Sequence, residues 1–66
     1  ISYPRQVVMY LLRKELSLSF PAIGQELGGR DHTTAIHAYK KIVESIEKNE
    51  KIQQDIERVT QELYAV

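Results

Sequence analysis

The run Gly28-Gly29-Arg30-Asp31-His32-Thr33-Thr34 constrains this chain more than any other. Two glycines release the backbone into conformations closed to other residues and let a second surface approach closely. Asp31 then offers a carboxylate to the orphan amides of a helix's first turn. A core helix would follow such a cap with an apolar stripe, but here His32, Thr33 and Thr34 come first and Ile36 only afterwards. Polar side chains at a helix N-terminus, behind a tight turn and a short preceding helix, are how a helix-turn-helix meets base edges in the major groove.

Sixty-six residues make one small domain with a thin core. Without cysteine neither a disulfide nor a thiolate metal site can staple it, so its stability has to come from helix packing. The lack of cysteine also fits a reducing compartment, and the expected location is cytoplasmic. The longest apolar stretch, Val7–Leu12, is far too short for a membrane span or a secretory leader, so no membrane contact is expected. The chain opens on Ile1 without a starting methionine and reads as a fragment of a larger protein.

The formal charge is zero but unevenly spread. Residues 1–41 carry six basic side chains (Arg5, Arg13, Lys14, Arg30, Lys40, Lys41) against three acidic ones, a net +3, and residues 42–66 carry three against six, a net −3. Such asymmetry says more than the sum. The basic half holds the glycine turn and both histidines, and the acidic half reads as a buttress.

Helical spacing predicts four helices and no strand, an all-α fold in which a small four-helix domain contains a helix-turn-helix. The first is expected from about Pro4 to Leu16, with Val8, Leu11, Leu12 and Leu16, joined by Val7, as its buried stripe. The second runs from Phe20 to Leu27, capped by Ser19, with Pro21 in its first turn and Ile23 and Leu27 facing inward. Gly24 in mid-helix costs about 1 kcal/mol against alanine, which implies close approach of a neighbouring helix. The third runs from His32 to Ile46 or slightly beyond, its apolar side formed by Ala35, Ile36, Tyr39, Ile42, Val43 and Ile46. Thr33, His37, Lys40, Lys41 and Glu44 fall on its other face. The fourth starts at the cap Asn49 and carries Ile52, Ile56, Val59 and Leu63 as an amphipathic stripe packed on helices one and three. The four tyrosines are expected at the core or its margin with a wet hydroxyl and no stacking role.

Chemically, Asp31 can accept from a cytosine amino group, His32 can donate to a base or pack on a thymine methyl, and each threonine offers both a hydroxyl and a methyl. His37, Lys40 and Lys41 continue the Thr33 face and can reach phosphates. In the plain alternative Asp31 is only a cap and the threonines are solvated. His32 and His37 lie about 140° apart around a helix, which suits no zinc site, and neither a cysteine nor a pocket supports a catalytic pair. The expectation is therefore no metal and no enzyme.

The GGRDHTT run, with Ile36-His37-Ala38 and Lys40-Lys41-Ile42 after it, resembles the signature of the C-terminal DNA-binding domain of the bacterial DnaA family of chromosomal replication initiators. Pro4-Arg5-Gln6 with its Val/Met/Tyr/Leu-rich helix, and Ser19-Phe20-Pro21-Ala22-Ile23-Gly24, are similar to the same domain, so the resemblance spans nearly the whole chain. It implies binding to DnaA boxes, asymmetric duplex elements of the TTATNCACA type at replication origins. By that resemblance Asp31, His32, Thr33 and Thr34 read bases. Arg5, Gln6, Lys14, Ser17, Pro21, Arg30, His37, Lys40 and Lys41 hold the DNA backbone, with Phe20 at the motif's edge. It also implies no cofactor in this fragment, ATP in an AAA+ module of the parent chain, a monomer in isolation and a nucleoid-associated location. The family usually carries a larger aliphatic residue at Ala35 and often a glutamate at Ala22, which would complete a capping box with Ser19.

Two other functions compete. A helix-turn-helix transcriptional regulator would sit on another operator, usually as a dimer on two half-sites. A helical protein-interaction domain would work through the helix-four stripe and ignore DNA at moderate salt.

Overall fold

Four helices follow one another in the computed structural model, which describes residues 2–27, 29 and 31–65. The first, α1, spans Tyr3–Leu16 with Pro4 in its opening turn, where a missing amide costs nothing. It ends at Ser17, whose backbone is left-handed at φ 55°. There the Ser17 amide donates to the Arg13 carbonyl at 3.1 Å and the Leu18 amide to the Leu12 carbonyl at 3.3 Å. Those two bonds satisfy carbonyls that the helix end would otherwise strand.

Next comes α2 (Phe20–Leu27), opened by Ser19, whose hydroxyl oxygen accepts from the Ala22 amide at 3.2 Å. Alanine at position 22 cannot return that bond, so only half of a capping box forms. The long α3 (His32–Lys48) and α4 (Glu50–Tyr64) meet at Asn49, whose side chain caps α4 by accepting from the amides of Lys51 and Ile52. Among the described residues no strand occurs, and the all-α expectation holds with helix boundaries within two residues.

Two adjoining clusters form the core. Met9, Ile23, Ala35 and Ala38 lock α1, α2 and α3 together, with Leu12, Leu18, Phe20 and Leu27 at the edge. Val7, Tyr10, Leu11, Ile42 and Ile56 join α1, α3 and α4, flanked by Tyr39, Val43, Ile46, Ile52 and Val59. As expected, α4 therefore buttresses α1 and α3.

Three residues of the predicted stripes are displaced. Val8 and Leu16 are 43% and 61% exposed, while Met9 and Tyr10 are buried in their place. The cause is that residues 7–12 are apolar without a break, so the neighbouring helices decide which face of α1 is covered. α2 and α3 cover the Met9 side, and α3 and α4 the Tyr10 side. Leu63 is also exposed, and with Val8, Leu12, Leu16 and Val59 it lines an open groove of about 260 Å³ between α1 and α4. The tyrosines divide: Tyr10 and Tyr39 lie in or at the core as expected, while Tyr3 and Tyr64 are exposed. Tyr10 and Tyr39 do stack, with ring centroids 5.4 Å apart and planes 26° off parallel.

Asp55 ties the start of α1 to α4. The Tyr3 hydroxyl donates to Asp55 Oδ2 at 2.9 Å, and Lys51 Nζ and Arg58 Nη2 each stand 3.5 Å from Oδ1. The Tyr3 bond, with help from the two cations against the opposing effect of burial, holds the carboxyl below the ordinary aspartate value. A depressed native pKa stabilises the fold above the unfolded aspartate value, near pH 4, and that stability vanishes as acidification passes down through the native value. Asp55→Asn should therefore melt earlier than the parent chain at pH 7, and thermal melts of the two should converge below about pH 4. A gap that persists or widens in acid would show that the tie does not depend on the carboxylate.

Candidate nucleic-acid interface

A helix-turn-helix works only if its second helix is held rigidly while its leading turn stays bare, and both conditions have local causes here. α2 can approach the start of α3 because residue 24 has no side chain. A Cβ built on Gly24 would stand 2.8 Å from both the Cα and the amide nitrogen of His32, and 3.0 Å from the Asp31 carbonyl carbon. The expected close approach is thus contact with the backbone that opens α3. In the turn between the helices Gly29 adopts φ 62°, the left-handed region, with open space around it.

Asp31 caps α3 with one carboxylate oxygen and holds a side chain with the other. Oδ1 accepts from the Thr33 amide at 2.9 Å and Oδ2 from the Thr34 hydroxyl at 3.2 Å. The Thr33 amide is the main reason the carboxyl lies below the ordinary aspartate value, with the Thr34 hydroxyl adding to it against burial. Asp31 is therefore a charged acceptor at neutral pH, with one oxygen fixing the turn and the other orienting Thr34. His32 and Thr33 are exposed and Thr34 is half-buried. The polar opening of α3 is bare because the helix buries its next turn instead, at Ala35 and Ala38.

Beyond that turn Thr33, His37, Lys40, Lys41 and Glu44 are all exposed, the continuous face that the spacing predicted. The other positions scatter more widely. Arg5 and Gln6 open α1, Lys14 and Ser17 end it, and Pro21 is exposed in the first turn of α2. Arg5 and Lys14 are nine residues apart, about 180° of helical rotation, so they point to opposite sides of α1. The Lys14 ammonium lies 5.7 Å from the centre of the Tyr10 ring. Arg30 lies outside the described residues.

A brace at the α1–α2 junction has no counterpart among the sequence expectations. Arg13 Nη1 donates to the Leu18 carbonyl at 3.1 Å, and the guanidinium carbon sits 4.7 Å from the centre of the Phe20 ring. Helical periodicity cannot reveal this pairing, because the residues are on different helices with a left-handed turn between them. Among the described residues no three histidine, cysteine or acidic side chains are grouped to hold a metal ion. Among the same residues no helix is long and apolar enough to cross a membrane.

No solved structure matches the chain significantly. A family model described as the bacterial dnaA protein helix-turn-helix matches residues 1–42. That span is well over half of the chain and takes in α1, α2, the glycine turn and α3 as far as the buried Ile42. Sequence signature and three-helix geometry coincide over the same residues, and the chain belongs to the bacterial DnaA helix-turn-helix family of DNA-binding domains.

Proposed function

We propose that this domain binds single DnaA boxes as a monomer and so anchors a replication initiator at its origin. The observation that carries the reading is the bare first turn of α3, held by both oxygens of Asp31 and continued by the exposed Thr33–His37–Lys40–Lys41 face. α3 enters the major groove N-terminus first, and Asp31, His32, Thr33 and Thr34 meet base edges. Thr34 donates its hydroxyl proton to Asp31, so its methyl is left for contact with a thymine. Arg5, Gln6, Lys14, Ser17, Pro21, Arg30, His37, Lys40 and Lys41 hold the backbone. Because Arg5 and Lys14 point apart, they take different stretches of it. In this reading the parent chain works in the cytoplasm at the nucleoid, and ATP belongs to its AAA+ module.

The test is a titration of labelled DnaA-box duplex and a scrambled duplex at two salt concentrations. With five cations on phosphates, log K should fall against log salt with a slope of about −4 to −5, and the box should bind more tightly at both salts. One protein per box is the expected stoichiometry. A flat salt response, equal affinity for the two duplexes, or two chains per box would each overturn the reading.

A further inference from the structure

A chain of ring and cation contacts runs from the end of α1 to the middle of α3, and helix-turn-helix topology alone does not require it. It begins at Arg13, which holds the Leu18 carbonyl and lies over the Phe20 ring. The edge of Phe20 meets Tyr39 at a centroid distance of 5.6 Å and an interplanar angle of 69°. Tyr39 in turn stacks on Tyr10, back on α1. The run therefore leaves α1, crosses the left-handed turn at Ser17, passes through the first residue of α2, touches α3 and returns.

Tyr39 lies seven residues beyond His32, about 10 Å along the helix axis. Besides its core packing through Ala35, Ala38 and Ile42, α3 has two further contacts with α2 that lie well apart along its axis. Gly24 fixes its opening turn by contact with backbone, and the Phe20–Tyr39 contact fixes it two turns later. The second contact, two turns beyond the first, adds leverage on the direction of α3 that the Gly24 contact alone does not have.

We propose that Arg13 is a positioning residue for base readout and not a phosphate anchor. Its guanidinium clamps the α1–α2 turn and, through Phe20 and Tyr39, sets the angle at which α3 presents its first turn. The chemistry suits arginine in particular. A planar guanidinium can stack on a ring face while its in-plane N–H groups reach a carbonyl, and an ammonium cannot do both. Arg13 is half-buried and already engaged on both counts, while Lys14 beside it is exposed. The proposal rests on the reading that α3 reads duplex DNA.

Arg13→Lys keeps the charge and loses the fork and the stack. On the DnaA-box duplex this variant should bind on the order of fivefold more weakly. Its affinity for scrambled duplex and its salt slope should stay as in the parent chain. Phe20→Leu, which keeps apolar bulk without a ring, should lose the same discrimination, and Phe20→Tyr should keep it. In free protein the amide spectrum of Arg13→Lys should change at Tyr39 and in residues 32–34 as well as around the turn. That last readout is independent of DNA, so it separates a failure of the brace from a failure of the DNA reading. The proposal is overturned if amide changes stay within residues 10–21. It is equally overturned if Arg13→Lys binds both duplexes like the parent while Arg13→Met flattens the salt slope by about one, the mark of a phosphate contact.

Discussion

Gly24→Ala is expected to lower the melting temperature and to raise the Kd for the DnaA box by at least about tenfold, with a smaller loss on scrambled duplex. On an exposed helix the same change would stabilise by up to about 1 kcal/mol. The sign reverses here because the new methyl would meet the backbone of His32 at 2.8 Å, and backbone cannot rotate aside as a flexible side chain can. Overpacking of this kind costs about 1–3 kcal/mol, which in a domain of this size is several degrees of melting temperature. The affinity loss follows from where the strain is relieved. α2 and α3 must part at the turn proposed to read bases, so His32 and Thr33 move relative to α1. Gly29→Ala makes an informative contrast. That position has open space and a left-handed backbone, so its cost is conformational, about 1–2 kcal/mol, and asparagine should recover part of it. Unchanged melting and affinity in Gly24→Ala would mean that the two helices are not in van der Waals register.

The four helices and their caps were legible because their signals are local. Ser19, Asp31 and Asn49 accept from amides within three residues of themselves, Pro4 merely lacks an amide where none is needed, and the polar face of α3 repeats at a helix's own period. The faces of α1 were not legible. An unbroken apolar run from Val7 to Leu12 offers no period, and the choice of Met9 and Tyr10 over Val8 depends on where α2, α3 and α4 lie. Ala38 was missed for a related reason. A small residue gives a weak apolar signal, yet here it is almost wholly buried beside Ile23 because the helices run close together. The candidate site divides in the same way. Its leading turn is written in consecutive residues, while the Arg13–Phe20–Tyr39 contacts arise only once three helices have been packed.

Charge, too, sorts by element. The cations of residues 1–41 lie on α1, on α3 and at Arg30, and the acidic excess of residues 42–66 lies on the end of α3 and along α4. α4 packs through Ile52, Ile56 and Val59 on the side of α1 and α3 that Tyr10 and Ile42 occupy. An approaching duplex is therefore attracted by one half of the sequence and repelled by the other. That asymmetry supports a single binding orientation, even though the net charge gives no attraction at long range.

His32→Ala and Thr33→Ala should each cost about 1–3 kcal/mol on the DnaA box, a loss of about ten- to a hundredfold in affinity, and much less on random duplex. Both side chains are exposed, and neither joins the buried clusters, so folding should be unaffected and melting temperature should stay near that of the parent chain. Lys41→Ala should behave differently, weakening both duplexes about equally and making the salt slope shallower by roughly one. The contrast separates reading from holding. A base-edge contact is lost only where the right base is present, whereas an ammonium near a phosphate displaces a counterion on any sequence. Asp31 sits on the boundary between those roles and the structural one. Its carboxylate holds the Thr33 amide and the Thr34 hydroxyl, so Asp31→Ala should lower the melting temperature as well as the discrimination. Asp31→Asn keeps a cap acceptor but replaces one acceptor oxygen with a donor, and asparagine is as good a cap as aspartate. If Asp31 accepts from a cytosine amino group, the asparagine variant should retain most of the stability and still lose preference at that one base pair. Loss of affinity that is equal across a scan of single base-pair changes, for His32→Ala and Thr33→Ala alike, would move sequence readout away from the first turn of α3.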